Sequence, residues 1–170
     1  MNTMRRIDII NHLIEKHNFQ SYLEIGVRIK PNCAYTRINC KNKTGVDPVP
    51  QRGDQNIITK TSDDFFDSIS LDCKYDLIFI DGLHLENQVD KDIQNSLRHL
   101  NSGGLIVLHD CSPLTAWAAR ENYGPSYDSW NGTVYKSIVK LRCRNKDMSI
   151  ITVDDDHGCG IIDPSKTQEL

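Results

Sequence analysis

Residues 75–113 read YDLIFIDGLHLENQVDKDIQNSLRHLNSGGLIVLHDCSP, and this stretch decides the fold. Leu77-Ile78-Phe79-Ile80 is an uninterrupted apolar run, the pattern of a parallel strand covered on both faces. It stops at Asp81-Gly82-Leu83-His84. Leu85, Val89, Ile93, Leu97 and Leu100 then recur at helical spacing, with charged side chains filling the other faces. Ser102-Gly103-Gly104 is expected to end that helix, where a left-handed residue is favoured. Leu105-Ile106-Val107-Leu108 is a second buried strand, stopping at His109-Asp110. Ligands of an open α/β sheet bind beyond the carboxyl ends of its strands. Two adjacent strands therefore deliver Asp81, His84, His109 and Asp110 to one rim, which is the candidate active site.

Outward from this unit the same alternation continues. Met4, Ile7, Ile10 and Ile14 form one stripe of an amphipathic helix over 4–17. Residues 21–27 (SYLEIGV) form a strand running into a glycine, and Thr44-Gly45-Val46-Asp47 a short strand ending in a carboxylate. Residues 31–40 are read either as a short helix beginning at Pro31 or as an irregular loop. Residues 56–59 are a third strand, after which Ser62-Asp63-Asp64 caps a helix bearing Phe65, Phe66 and Ile69. A loop over about residues 111–130 is rich in Trp, Tyr, Gly and Pro, and Asn131 opens a helix with Val134, Ile138 and Leu141 in line. Residues 148–153 and 159–162 read as an antiparallel hairpin across the acidic turn 154–158. The whole is one domain over 1–170, with 163–170 a frayed tail. Strands alternating with helices define an α/β fold.

Composition narrows the function. A net charge of −3 and a pI near 6.0 leave no electrostatic footprint for nucleic acid or an anionic membrane. No apolar run approaches the roughly 20 residues of a membrane span, and the N-terminal apolar residues are too interleaved with polar ones for a signal peptide. The six cysteines are scattered with no CxxC pair or zinc spacing. Reduced thiols and a cytoplasmic location are expected. His12, His17 and His99 lie on helix patterns and are expected to face solvent.

A glycine directly after a buried strand lets backbone approach a ligand, and an acid on the next strand about 20 residues later commonly holds ribose hydroxyls. Gly26 and Asp47 meet that description, although a tight turn with a surface carboxylate meets it too, and Asp63 reads equally as a helix-capping acid. Asp81 and Asp110 form a carboxylate pair suited to Mg²⁺, and an imidazole at His109 would widen the choice toward Mn²⁺, Fe²⁺ or Zn²⁺. His109 could instead point into the sheet and Asp110 cap a turn. His84, with an ordinary pKa of about 6.5, can take a hydroxyl proton at neutral pH; capping the next helix is its alternative.

Glu24-Ile25-Gly26, Gly45-Val46-Asp47, Ser62-Asp63, Ile80-Asp81-Gly82-x-His84 and Gly103-Gly104-x5-Asp110 occur in an order that resembles the class I S-adenosylmethionine-dependent methyltransferases. The likeness covers roughly residues 20–140 and is nearer the small-molecule and sugar O-methyltransferases. It implies a Rossmann-like, mostly parallel seven-stranded sheet of order 3-2-1-4-5-7-6, helices on both faces and the last strand antiparallel. It implies that Glu24 and Gly26 lie beside the methionine moiety of S-adenosylmethionine, Asp47 at the ribose, and Ser62 and Asp63 at the adenine, with Asp81 also bordering the cofactor. Asp81, His109 and Asp110 would hold a divalent metal, Mg²⁺ or Mn²⁺ before Zn²⁺, and His84 would be the general base. The first loop departs from the family pattern: Gly26-Val27-Arg28-Ile29-Lys30-Pro31-Asn32 has no second glycine.

The expected activity is methyl transfer to a hydroxyl of a sugar, glycan precursor or other small molecule. Trp117, Tyr123, Tyr127 and Trp130 would offer flat faces to the acceptor, or pack the loop onto the sheet. With no N-terminal addition in this sequence, acceptor recognition is expected to fall to the 112–130 loop or to a homodimer. The rival readings are a non-catalytic cofactor-binding or scaffold module of the same fold, and a metal-dependent hydrolase using the Asp/His rim.

Overall fold

A computed structural model describes residues 4–27, 34–49, 57–124 and 129–167. The two apolar runs that open the reading become β4 (Tyr75–Ile80) and β5 (Leu100–Leu108), paired in parallel with Leu77 opposite Leu105 and Ile80 opposite Leu108. β1 (Ser21–Ile25) lies on the other side of β4, also parallel, followed outward by β2 (Asn42–Val46) and β3 (Ile57–Ile58). Beyond β5 comes β7 (Cys159–Asp163), antiparallel to β5 and to the outermost β6 (Ser149–Val153). The sheet order is thus β3-β2-β1-β4-β5-β7-β6, as the family resemblance implied.

Successive residues of a strand point to opposite faces, and here both faces are covered. Tyr22, Leu77, Phe79, Leu105 and Val107 pack with Ile7, Ile10 and Ile14 of α1 (Arg6–His17) and Tyr35 of α2 (Ala34–Arg37). Leu23, Ile78, Ile80, Ile106 and Leu108 pack with Phe65 and Phe66 of α3 (Ser62–Ser68), Val89 and Ile93 of α4 (Glu86–Arg98), and Val134 and Ile138 of α5 (Val134–Arg144). This double burial explains why the strands read as continuous apolar runs.

Three boundaries differ from expectation. Helix α4 does not run to the Ser102-Gly103-Gly104 glycines: it closes at Arg98, where the His99 backbone N–H reaches the carbonyls of Asn95 and Ser96. His99 is buried, not solvent-facing; its Nδ1 lies 2.8 Å from Cys73 O, and its ring packs on Phe66. Leu100 is then already paired with Tyr75, and the glycines absorb a register jump within β5, Gly103 at φ 77° and Gly104 passing close to Asp76 O. Thr61, not Ser62, caps α3, its hydroxyl accepting the Asp64 N–H. Helix α5 begins at Val134 behind a segment 129–133 that belongs to the site. A helix start at Pro31, the loop residues 28–32, Asn56 and Tyr127 lie outside the described residues.

His12 and His17 are exposed as expected. Cys40, Cys73, Cys111, Cys143 and Cys159 are free thiols. Among the described residues no helix is long and apolar enough to cross a membrane.

Candidate active site and metal centre

The strand order reverses between β1 and β4, the point where open α/β sheets bind their ligands. The two strand ends meet closely there. Asp81 N–H donates to Ile25 O (2.9 Å), and Gly26 sits at φ 89° with its Cα against the next turn. A Cβ at Gly26 would lie 2.3 Å from Asp81 O, so only glycine fits. Glu24 is buried on β1 and accepts a 2.5 Å hydrogen bond from the Tyr22 hydroxyl. Burial pushes its pKa up to about 8, against the opposing pull of that hydrogen bond.

The other cofactor candidates are spread along the same edge. Asp47 follows β2, half-buried, one carboxylate oxygen accepting Val49 N–H at 2.8 Å. Ser62 and Asp63 open α3 and are tied to α4: Gln88 Nε2 reaches Ser62 Oγ (3.1 Å) and Asp63 Oδ1 (2.9 Å), and Lys91 pairs with Asp63 Oδ2 at 3.0 Å. The Gln88 and Lys91 contacts hold the Asp63 pKa below its ordinary value. Glu24, Gly26 and Asp81 are therefore gathered at one point, while Asp47 and the Ser62-Asp63 pair stand at separate positions.

At the ends of β4 and β5 the four rim residues do converge. His84 Nε2 lies 3.5 Å from Asp81 Oδ1 and 3.4 Å from Asp110 Oδ2. His109 Nδ1 lies 3.3 Å from Asp81 Oδ1 and 3.0 Å from Asp110 Oδ2. Both imidazoles thus face the same two carboxylate oxygens. The other nitrogen of His84, Nδ1, sits 3.1 Å from the Trp130 carbonyl, which only accepts. Nδ1 therefore carries a proton, and Nε2 is the nitrogen turned toward Asp81 and Asp110, a donor to them when the ring is charged and a lone pair when it is neutral. Asp81, His84 and Asp110 form a group that could hold a metal ion, with one ligand atom of each within 4.8 Å of the others.

Electrostatics reflect this crowding. Burial opposes ionisation of Asp81, yet hydrogen bonds from His109 and His84 outweigh it and lower its pKa. Burial likewise lowers the imidazoles, and the carboxylates outweigh it: His84 is raised, and His109, facing Asp110, Asp156 and Asp81, is pushed up to about 12. Arg6 Nη1 lies 3.2 Å from His109 Nε2. A guanidinium only donates, so that contact favours an unprotonated Nε2. Three carboxylates outnumber one guanidinium, so the charged imidazole is favoured on balance.

Four contributors escape a reading of the sequence. Asp156, in the β6–β7 turn, accepts from Arg6 N at 2.8 Å, faces Arg6 Nη1 at 3.4 Å and stands 3.8 Å from His109 Nε2. The pull of the His109 imidazole, ahead of the burial that opposes it, lowers its pKa. Arg6, at the start of α1, also places Nε 3.8 Å from Asp81. Tyr22 holds Glu24, and Asn131 Nδ2 donates to Asp110 Oδ1 at 2.5 Å. The turn 154–158 had a signal in its acids and glycine, but only the pairing of β7 with β5 brings it to the rim: Cys111 N and Ser112 N bond the carbonyls of Gly158 and His157.

A mostly parallel sheet with this strand order, reversing between β1 and β4, defines a Rossmann-like α/β protein of the methyltransferase type. Residues 16–111 match the family described as "Methyltransferase domain", more than half of the chain, and the protein belongs to that family. No curated protein matches it. Among solved structures it is similar to a protein of Staphylococcus aureus provisionally assigned as a caffeoyl-CoA O-methyltransferase, with a TM-score of 0.67 and 18% identity over 92% of this chain and 81% of that one. It is similar also to the methyltransferase PaMTH1 of Podospora anserina in its SAH-bound form, with a TM-score of 0.66 and 13% identity over 99% of this chain and 80% of that one. MycE, a methyltransferase of the mycinamycin biosynthetic pathway in complex with Mg, SAH and mycinamycin VI, gives a TM-score of 0.53 at 17% identity, over 93% of this chain and 48% of that one.

Proposed function

We propose that this protein transfers a methyl group from S-adenosylmethionine to a hydroxyl oxygen of a small molecule, a sugar or glycan precursor being the favoured acceptor, with a divalent cation at the rim. The observation that carries this reading is the convergence of Asp81, His84 and Asp110 beyond the carboxyl ends of β4 and β5 in a methyltransferase-family fold. Two carboxylates and one imidazole suit Mn²⁺ or Fe²⁺ as well as Mg²⁺. Structural neighbours described with SAH, and one described with Mg, favour the same pairing.

S-adenosylmethionine would bring an already activated methyl group, and the cation would lower the pKa of the acceptor hydroxyl. What remains for the chain is alignment and proton removal. The open backbone at Gly26 and the Glu24 carboxyl would take the methionine end of the cofactor, Asp47 its ribose, and Ser62 and Asp63 its adenine. Asp81 and Asp110 would hold the cation. His109, touching both carboxylates from their other side, would orient them or complete the ligand set. His84 would accept the hydroxyl proton at Nε2, its tautomer held by the Trp130 carbonyl. The exposed rings of Trp117 and Tyr123, on the segment leading to Trp130, suit the faces of a sugar ring. A second reading is favoured by the shared distances: His84 Nε2 could itself be the third ligand.

Calorimetry with S-adenosylmethionine, then radiolabelled methyl transfer to a panel of sugars and phenols with and without EDTA, tests the proposal. Cofactor binding in the micromolar range and EDTA-sensitive transfer are expected. Absence of cofactor binding would return the protein to a non-catalytic module. Loss of Mn²⁺ affinity in His84→Ala would make His84 a ligand and not the base.

A further inference from the structure

One tetrapeptide outside both rim strands, Trp130-Asn131-Gly132-Thr133, touches both arms of the rim. Its path is fixed by Asn131 N–H and Gly132 N–H, which both donate to Ala118 O at 2.9 and 3.1 Å. Gly132 takes φ 61°, and a Cβ there would fall 2.0 Å from His84 O. Thr133 N–H donates to that same carbonyl at 2.8 Å, while the Thr133 hydroxyl accepts from Glu86 N. On the His84 side, the Trp130 carbonyl fixes Nδ1, and the indole stacks on the imidazole with centroids 4.9 Å apart and planes 17° apart. On the Asp110 side, Asn131 is 1% exposed and holds carboxylate oxygen Oδ1 at 2.5 Å.

Asp110 needs such support. It sits at φ 62°, a left-handed conformation uncommon for a residue with a side chain though better tolerated by Asp than by most, and a contact that pins its carboxylate fixes where that turn aims it. An ionised carboxylate only accepts, so the Asn131 amide must present Nδ2 to it. That leaves the amide Oδ1 buried with no hydrogen-bond partner among the described residues. Packing alone does not explain a buried amide that leaves its own acceptor orphaned. With Oδ1 of Asp110 tied down, Oδ2 is the oxygen presented to His84 and His109.

We infer that Asn131 is a positioning residue of this site. It fixes which oxygen of Asp110 faces the cation position, and through its tetrapeptide locks that oxygen's distance from His84. The inference rests on reading the rim as a cation-assisted site, and the experiment separates the two. Mn²⁺ alone is titrated by electron paramagnetic resonance against the full chain, Asp110→Asn, Asn131→Ala and Asn131→Ser. The parent protein is expected to bind, Asp110→Asn to lose binding, and Asn131→Ala to bind about 10–100-fold more weakly. Asn131→Ser, which keeps a donor, should recover part of the loss. A purely structural role would lower the melting temperature of Asn131→Ala without moving the Mn²⁺ midpoint of the folded fraction, and that result overturns the inference while the cation reading survives. No Mn²⁺ binding by the parent protein overturns both. Should neither Asn131 variant fold, the parent's side-chain amide resonances decide: they must shift during Mg²⁺ titration with the midpoint of the Asp110 backbone amide. Resonances that stay still refute the positioning role.

Discussion

His84 and Asp47 make the proposed site testable one side chain at a time. If His84 is the base, His84→Ala should leave Mn²⁺ and S-adenosylmethionine affinities within about twofold and lower turnover by about 10²–10⁴, the usual share of a positioned general base. His84→Gln should not rescue it, because an amide cannot take up the proton at neutral pH. Stopped-time transfer assays beside Mn²⁺ titrations separate this outcome from a ligand role. Asp47→Ala should weaken S-adenosylmethionine binding by about 1–3 kcal/mol, the cost of leaving hydroxyl partners unpaired, with the fold intact because the side-chain contact Asp47 makes among the described residues is a local turn contact. Unchanged affinity by calorimetry would put the ribose elsewhere. The four rim residues were legible in sequence because each lies within four residues of a strand end. Which ring nitrogen faces which carboxylate oxygen was not, because no local pattern encodes side-chain orientation.

At the scale of elements, the site is braced by parts remote from it in sequence. The β6–β7 turn carries Asp156, whose carboxylate accepts from the first helical N–H of α1 and faces Arg6 and His109. That places a negative charge at the positive end of the α1 dipole. Asp156→Ala should lower unfolding stability by about 1.5–3 kcal/mol, the range for hydrogen bonds to charged groups. A cycle with Arg6→Ala should show coupling of about 0.5–3 kcal/mol, as expected of side chains in one network. Urea unfolding of the four proteins checks both; strictly additive losses would mean that Arg6 and Asp156 act independently. This brace was invisible beforehand for a physical reason. Local runs reveal a strand, but the position of the 154–158 turn depends on β7 inserting antiparallel between β5 and β6. The Gly103 misreading has the same origin: a glycine after a helix signals a cap until the pairing of Leu100 with Tyr75 claims the segment for β5.

Over the whole molecule, alternation of apolar runs with amphipathic stripes revealed the α/β layering, while the strand order needed the family resemblance, since no local pattern encodes which strands are neighbours. Global stability should carry the mark of one strand residue, Glu24. Burial raises its folded pKa from 4.5 to about 8. Between those values the folded protein holds a proton that the unfolded chain has released, so its contribution is fully present below pH about 4.5 and is lost as pH rises through about 8. Asp81 and Asp156 run the opposite way: their folded pKa values are depressed, so their contribution is lost as the pH falls into the acid range below the ordinary carboxylate value. Stability should therefore peak in mildly acidic solution and decline toward pH 8. Each pKa unit is worth roughly 1.4 kcal/mol, which bounds the Glu24 share of that decline at about 5 kcal/mol. Glu24→Gln keeps the shape and can still accept from the Tyr22 hydroxyl, but does not titrate. Its melting temperature should match the parent's near pH 5 and exceed it near pH 8, by several degrees for each kcal/mol. Parallel pH profiles for the two proteins would show that Glu24 is ionised in the folded state throughout.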